Sequence, residues 1–569
     1  MPYIDITSMG GEMPRIIPAM LPDHAATLAE NCHFRFGVVT PGVEESGTGK
    51  RFNFQPQTIF HYRDDFWFAW SGLTDVIRSP VAQDPYGRVY YTDGKYPKVT
   101  GSAIATGGDD NYPAAFFRLG VPAPESAISC TVSGPAPVVT APDRTKTAVN
   151  AKAGETGTPA PSSDAPPPED DHTEDETRFY TQTFVTAYGE EGPPGPQSPE
   201  LTVKQGGSVD LTLQPPPLQN SNITRRRIYR SVSGGGNADF LLVTELDAGV
   251  LSFHDDLPAA QLGPALATWH YVMPPDNMTG LCMMANGIAA GFAGNEVMFS
   301  EAFLPYAWPD SYRQTTEEDI VAVAPVGTAL VVATKGQPYL FSGVSPSNIS
   351  GMKLPQMQAC VSRRSMVVMD GFVMYAGTGG LVSVDGNGNA INATEKIISS
   401  EQWNSQFNPS SICANLYRGE YVARYTKPDG STGVFIFSPQ DMDIRHMNTS
   451  FDAAYHQSES DTLYLVRGEA LLIFQGGVKP VPLRWRSKTF IARENTGFSC
   501  LRIKAPYPER VGISVFADGQ PVIQLPPGSL RRSVLKLPPV TGTEWAIEVS
   551  GFGQVERMTL STSMTEMPA

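Results

Sequence analysis

The chain has 569 residues, of which 42 are Lys or Arg and 58 are Asp or Glu, for a formal charge of −16. Aromatic residues make up 10% and charged residues only 18%, which excludes a largely disordered acidic protein and leaves room for roughly two to five packed domains. No apolar run approaches the roughly 18 residues of a membrane-spanning segment, and the opening Met-Pro-Tyr-Ile-Asp-Ile-Thr lacks the basic stretch and apolar core of a secretory signal. Six scattered cysteines (Cys32, Cys130, Cys282, Cys360, Cys413, Cys500) form no C-x-x-C. They read as free, mostly buried thiols made in a reducing cytoplasm rather than a zinc ribbon or a disulfide framework. Excess negative charge disfavours tight, wide-area binding to nucleic acid, though not a surface that nucleic acid slides past.

The predicted elements, in chain order, are almost all strands, and 53 glycines with 50 prolines supply the turns between them. Residues 1–130 form an N-terminal β region with early propeller strands, seen in TIFHYRDDFWFAWSG and DPYGRVYYTDGKYPKVT. Residues 131–177 are rich in Pro, Ala, Thr and Ser, have no Phe, Tyr, Trp, Leu or Ile, and end among seven acids: Asp164, Glu169, Asp170, Asp171, Glu174, Asp175 and Glu176. Burial cannot offset the ordering entropy of such a stretch, so a mobile linker is expected, with an acidic interaction tail as the sharper alternative. In residues 178–262 the runs RFYTQTFVTAYG, SVDLTLQPPP, RRRIYRSV, DFLLVTEL and LSFHDDL read as short strands of a sandwich. Within it, Tyr180 to Ser198 resembles the end of a fibronectin type III-like module.

Residues 263–480 carry a repeat. Five segments share one shape, a short apolar strand, a glycine-containing turn and a second strand: GIAAGFAGNEVMFS, TALVVATKGQPYLFSG, GFVMYAGTGGLVSVDG, EYVARYTKPDGSTGVFIFS and LYLVRGEALLIFQGG. Their turn glycines, Gly294, Gly336, Gly379, Gly430 and Gly468, are spaced by 42, 43, 51 and 38 residues. That period, with hairpin content, is what β-propeller blades require, and its persistence favours a propeller over unrelated hairpins. Residues 481–569 alternate strands and turns again and read as a C-terminal β domain. The expected fold is therefore all-β: a β-propeller with an inserted fibronectin III-like sandwich and a C-terminal β domain.

Motifs for chemistry are sparse. GVEESGTGK at Gly42–Lys50 places Glu44 and Arg51 where a phosphate loop needs Gly and Ser or Thr, so a polar hairpin loop is expected. The segment from Asp385 puts Ala390 and Lys396 where a calcium loop needs Gly and Glu, and it also misses the Asp-box of sialidase propellers. The carboxylate pairs Asp64/Asp65, Asp109/Asp110, Asp255/Asp256 and Glu317/Glu318 sit on adjacent residues, which in a strand face opposite ways. Eight histidines form no H-x-x-x-H, and no G-x-S-x-G elbow occurs. The basic clusters are Arg225–Arg227 with Arg230, Arg363/Arg364, Arg484/Arg486/Lys488 and Arg531/Arg532. They are too scattered for one nucleic-acid face and are at least as well suited to salt bridges with a neighbouring acidic subunit. No catalytic, cofactor-binding or metal site is expected, and the chain reads as a non-enzyme.

Three stretches together carry a resemblance. They are LPDHAATLAENCHFRFGVVTPG with DVIRSPVAQDPYGRVYYTDGKYPKVT, then NGIAAGFAGNEVMFSEAFLPYAWPDSYR, then RWRSKTFIARENTGFSCLRI with its Ala517-Asp518-Gly519 hairpin. The combination resembles virion proteins of tailed bacteriophages, of the tail-tube nozzle type in short-tailed phages. The resemblance implies a homo-oligomeric ring, typically a hexamer, below the portal and adaptor proteins. Such a ring continues the DNA ejection channel, lets genomic DNA pass without specific binding, and docks tail fibres or other tail proteins on its outside. It implies a virion location after synthesis in the host bacterial cytoplasm, and no cofactor. The alternatives are a carbohydrate-binding or carbohydrate-cleaving propeller, marked by convergent carboxylates and aromatics on its axis, and a surface adhesin, which would need an export signal.

Overall fold

The computed structural model describes residues 3–108, 112–133, 175–204, 206–217, 220–231 and 239–567. The chain forms two compact units, Met1–Leu119 with Pro274–Ala569, and Gly120–Met273. The 134–174 part of the expected linker and the Asp109/Asp110 pair lie outside the described residues.

The first unit contains a ring of seven antiparallel blades, each starting at the centre and meandering outward; six are sheets of their own, and one is the end of a ten-stranded sheet that continues into the C-terminal strands. Blade 1 is the hairpin Thr58–Arg63 with Phe66–Trp70. Blade 2 runs through Asp75–Arg78, Val89–Thr92, Lys98–Thr100 and Phe117–Arg118. Blade 3 follows the second unit and contains Thr279–Met283, Ala289–Ala293, Glu296–Phe299 and Gln314–Thr315. Blade 4 is Ile320–Val326, Ala329–Thr334, Tyr339–Ser342 and Ser350–Lys353. Blade 5 is Val367–Val368, Phe372–Ala376, Leu381–Asp385 and Ala390–Asn392. Blade 6 is Cys413–Tyr417, Glu420–Thr426, Thr432–Ser438 and Asp443–Met447. Blade 7 takes Ala453–Gln457, Thr462–Arg467 and Ala470–Ile473 from late in the chain and its outermost strand, Ser46–Arg51, from near the start.

Each blade's innermost strand meets the next around the ring. Between blades 1 and 2, Arg78 Nη1 donates to the Tyr62 carbonyl at 2.8 Å. Small residues (Gly280, Ala322, Ala324, Ala414, Ala453) occupy these strands, as the taper toward the axis demands. Larger apolar side chains fill the wedges further out. Leu330 and Phe341 of blade 4 pack on Phe292 and Phe299 of blade 3. Tyr421 and Phe435 of blade 6 pack on Met374 and Leu381 of blade 5, and Leu463 and Leu465 of blade 7 pack on Val422 and Ile436 of blade 6. The five turn glycines all lie between second and third strands, in blades 3 to 7, so the observed spacing is the blade repeat.

Two sheets form the C-terminal β domain. One orders Tyr3–Ile6, Arg557–Ser561, Cys500–Lys504 and Val534–Lys536, and the other includes Ala26–Glu30, Leu483–Ser487, Gly542–Gly551, Val511–Ala517 and Gln520–Leu525. Trp485, Trp545, Leu501 and Ile513 are buried between them. Sequence patterning groups residues 1–130 with the early blades; the structure instead gives Tyr3–Ile6 to this domain and sets Ala26–Glu30 between it and blade 6, pairing with Leu483–Ser487 on one side and, Glu30 opposite His446, in parallel on the other. Local alternation cannot reveal which partner completes a strand's ladder, since every strand needs one.

The second unit is a sandwich. Ser129–Ser133, Ser208–Thr212 and Ser252–Asp255 form one sheet, and Tyr180–Thr186, Ile223–Ser231 and Phe240–Asp247 the other. Ile128, Tyr180, Val209, Leu211 and Ile228 make its core. The Tyr180–Ser198 stretch, which resembles a module's end, precedes the strand Ile223–Ser231 with which it pairs. Among the described residues one α-helix occurs, Ser400–Phe407, capped by Ser399 and Gln402 and anchored through buried Trp403 and Phe407.

Candidate functional site

The propeller axis holds two adjoining cavities. The inner one, about 210 Å³, takes lining residues from all seven blades: Thr58, Asp75, Gly280, Ala322, Met366, Cys413 and Ala454. The outer one, about 610 Å³, is open and is lined by Gln55, Gln57, Ser362, Ser410, Ser411, Arg424 and Asp452. Arg363 and Arg364 belong to both. They reach the axis because a one-turn 3-10 helix, Arg363–Ser365, precedes the innermost strand of blade 5. Tyr421 Oη, buried in blade 6, fixes that turn by donating to the Ser365 carbonyl at 2.7 Å.

Arg363 pairs with Asp75 across the axis and lies 5.7 Å from the centre of the Phe292 ring. Asp75 Oδ2 also accepts from Thr92 Oγ1 at 3.0 Å and from the Gly280 backbone N–H at 2.8 Å. This one oxygen thus ties blades 2, 3 and 5 together. Gly280 has φ +71, and an added Cβ there would strike the Phe292 ring, so this close approach requires glycine. Arg364 Nη2 donates to Thr58 Oγ1 at 2.7 Å and the Thr74 carbonyl at 3.1 Å. Asp452 Oδ2 accepts from the Gly468 N–H at 2.7 Å. Burial pushes the thiols of Cys282 and Cys413 up, so both stay protonated at neutral pH. Among the described residues, no aromatic side chain and no opposed pair of free carboxylates lines either cavity.

The other sequence-selected groups lie elsewhere. Arg225 and Arg227 pair with Glu245, Arg227 also with Glu191, and Arg230 with Asp255, all inside the second unit. Arg226 is fully buried and donates to the Gln214 and Ala248 carbonyls. Arg484 and Arg486 pair with Glu548, and Lys488 with Asp23. Acids of the same chain therefore engage both clusters. Arg531 and Arg532 are exposed. Ser46–Arg51 is the strand closing blade 7, and Asp385 organises a turn by accepting from the backbone of Asn387 and Asn389, both at 2.9 Å. Glu317 pairs with Lys353, and Asp64 turns the blade 1 hairpin with φ 47. Among the described residues no group of three or more His, Cys, Asp or Glu could hold a metal. Arg424 and Asp75 carry no sequence signal, because single residues on regular strands form no motif; the doublet Arg363-Arg364 before a blade's first strand is the visible one.

No family model and no curated protein matches the chain. Among solved structures it is similar to the exo-beta-1,3-galactanase of Phanerochaete chrysosporium with galactose, at 10% identity, covering 51% of this chain and 98% of that chain with a TM-score of 0.20. It is similar also to the WD40 domain of Toxoplasma gondii coronin, at 9% identity over 57% of this chain and 79% of that chain, TM-score 0.24. The Neurospora crassa Pan2 WD40 domain shares 9% identity over 49% of this chain and 86% of that chain, TM-score 0.24. These likenesses concern the fold alone, and the strand topology carries the propeller assignment.

Proposed function

We propose that this protein is a structural virion subunit of a bacteriophage tail nozzle, assembling as a ring that continues the DNA ejection channel below portal and adaptor. One observation carries the reading. Two of the stretches that resemble such proteins, LPDHAATLAENCHFRFGVVTPG and RWRSKTFIARENTGFSCLRI, are separated by most of the chain, yet they pair strand to strand, with Ala29 opposite Trp485. Their resemblance thus belongs to one folded domain. At the axis Asp75 is held by Arg363, Thr92 and Gly280, a structural use of that carboxylate in joining blades. A formal charge of −16 suits a conduit that repels phosphate instead of gripping it.

Sedimentation or light scattering of the purified protein, alone and mixed with a portal–adaptor complex, tests this. A discrete ring in either sample is the expected result, and a monomer that ignores the complex would overturn it. A second reading, a carbohydrate-binding propeller, is favoured by the open cavity of about 610 Å³ with Gln and Ser side chains at its wall. A glycan-binding screen checks it, and a saturable hit abolished by mutating Gln57 would establish it.

A further inference from the structure

The outer axial cavity has an unbalanced charge. Its wall carries three guanidinium groups, Arg363, Arg364 and Arg424, and one carboxylate, Asp452. Arg363 is balanced by Asp75, and Asp452 serves the Gly468 N–H. Arg364 is held only by neutral oxygens, those of Thr58 and Thr74. Arg424 has no hydrogen-bond or ion-pair partner among the described residues, and its Nε is fully buried and unsatisfied. Two cations without an ion-pair partner therefore line this one cavity, against the single carboxylate of Asp452.

They converge. Arg424 sits opposite Cys413 in the blade 6 ladder. Both Arg364 and Arg424 act on the Cys413 thiol, each favouring its thiolate against the larger opposing effect of burial. Leaving the buried Nε of half-buried Arg424 unsatisfied is costly, whereas an oxyanion between the two arginines would supply charge-assisted, two-pronged hydrogen bonds. The hydroxyl of Ser362 is spent on the Ile412 carbonyl and that of Ser411 on the Asn408 carbonyl, so the arginines are the main donors to a guest. No aromatic platform is present for a base or sugar face.

We infer that the mouth of the propeller axis is a binding site for an oxyanion, a phosphate or carboxylate group borne by a small polar molecule, clamped between Arg364 and Arg424. The site is independent of the nozzle reading, since it needs neither the ring nor DNA.

Calorimetric titration of the full-length protein at constant ionic strength, with inorganic phosphate in one arm and citrate in the other, is the test. Saturable binding of phosphate alone assigns a phosphoryl ligand, of citrate alone a carboxylate ligand, and of both a general oxyanion site. Arg424→Gln should weaken binding about tenfold or more, the loss of one charge-assisted pair. Arg424→Lys should lose less, keeping charge without the fork. Arg532→Gln, which removes the same charge from an exposed position, should bind as the parent does. The inference is overturned if neither anion binds the parent protein, or if Arg424→Gln and Arg424→Lys both bind as tightly as Arg532→Gln.

Discussion

Glu12 shows how one residue can carry a pH dependence. It lies where the N-terminal segment bridges to Ala26 and Ile444, and its Oε1 accepts from the Ala29 N–H at 2.6 Å. Burial raises its carboxyl to about 7 from an ordinary 4.5, only partly opposed by that hydrogen bond. His446, 3.9 Å away, is lowered by burial to about 4, so at neutral pH the two do not form an ion pair. An acid with a raised folded pKa favours the fold in its protonated form. The cost of ionising Glu12 thus grows as pH rises from 4.5 to about 7 and is constant above. Glu12→Gln keeps the acceptor and removes the charge. It should stabilise the protein by up to about 3 kcal/mol at pH 8 and leave it unchanged near pH 4.5, as read from denaturant unfolding at the two pH values. Equal effects at both would refute this account.

Between elements, the inserted sandwich is held by an unusual bolt. Arg230 of one sheet and Asp255 of the other are 1% and 0% exposed and 2.7 Å apart, and Tyr180 Oη donates to the same carboxylate oxygen at 2.6 Å. Breaking a buried pair strands the surviving charge, so Asp255→Asn should destabilise this unit by about 3 kcal/mol or more. Asp256→Asn, one residue on and exposed, should do nothing. Proteolysis within residues 120–273 and calorimetry would separate the two variants. In the sequence the arginine cluster and the Asp255/Asp256 pair stand as separate features. That they answer each other is decided only in the fold, because facing residues of two sheets have no fixed spacing in the chain.

At the scale of the whole chain, closure of the ring is the costly step. Blade 7 is completed only when Ser46–Arg51 meets Ala470–Ile473, and Thr48 Oγ1 donates to the Leu471 carbonyl at 2.9 Å across 423 residues. Such pairing must wait for the intervening chain, which predicts slow folding. Removing residues 1–51 would bare the Ala470–Ile473 edge and strip Tyr3–Ile6 and Ala26–Glu30 from the C-terminal sandwich. The truncated protein should aggregate, seen as light scattering at concentrations where the full chain stays clear. A soluble, cooperatively unfolding truncation product would sink the idea.

The strand character, the blade repeat and the insertion of a sandwich within the propeller were determined by the sequence alone. Period-two alternation and glycine turns are local consequences of backbone geometry, and a blade repeats them every 40 or so residues. What only the tertiary structure decided was partnership. It showed that the first strands serve the last domain and that Ser46–Arg51 locks blade 7. It also brought Arg363, Arg364 and Arg424 to one cavity. Ladder bonds and charge pairing depend on distance in space, and a chain that closes a ring on itself separates that distance from sequence order.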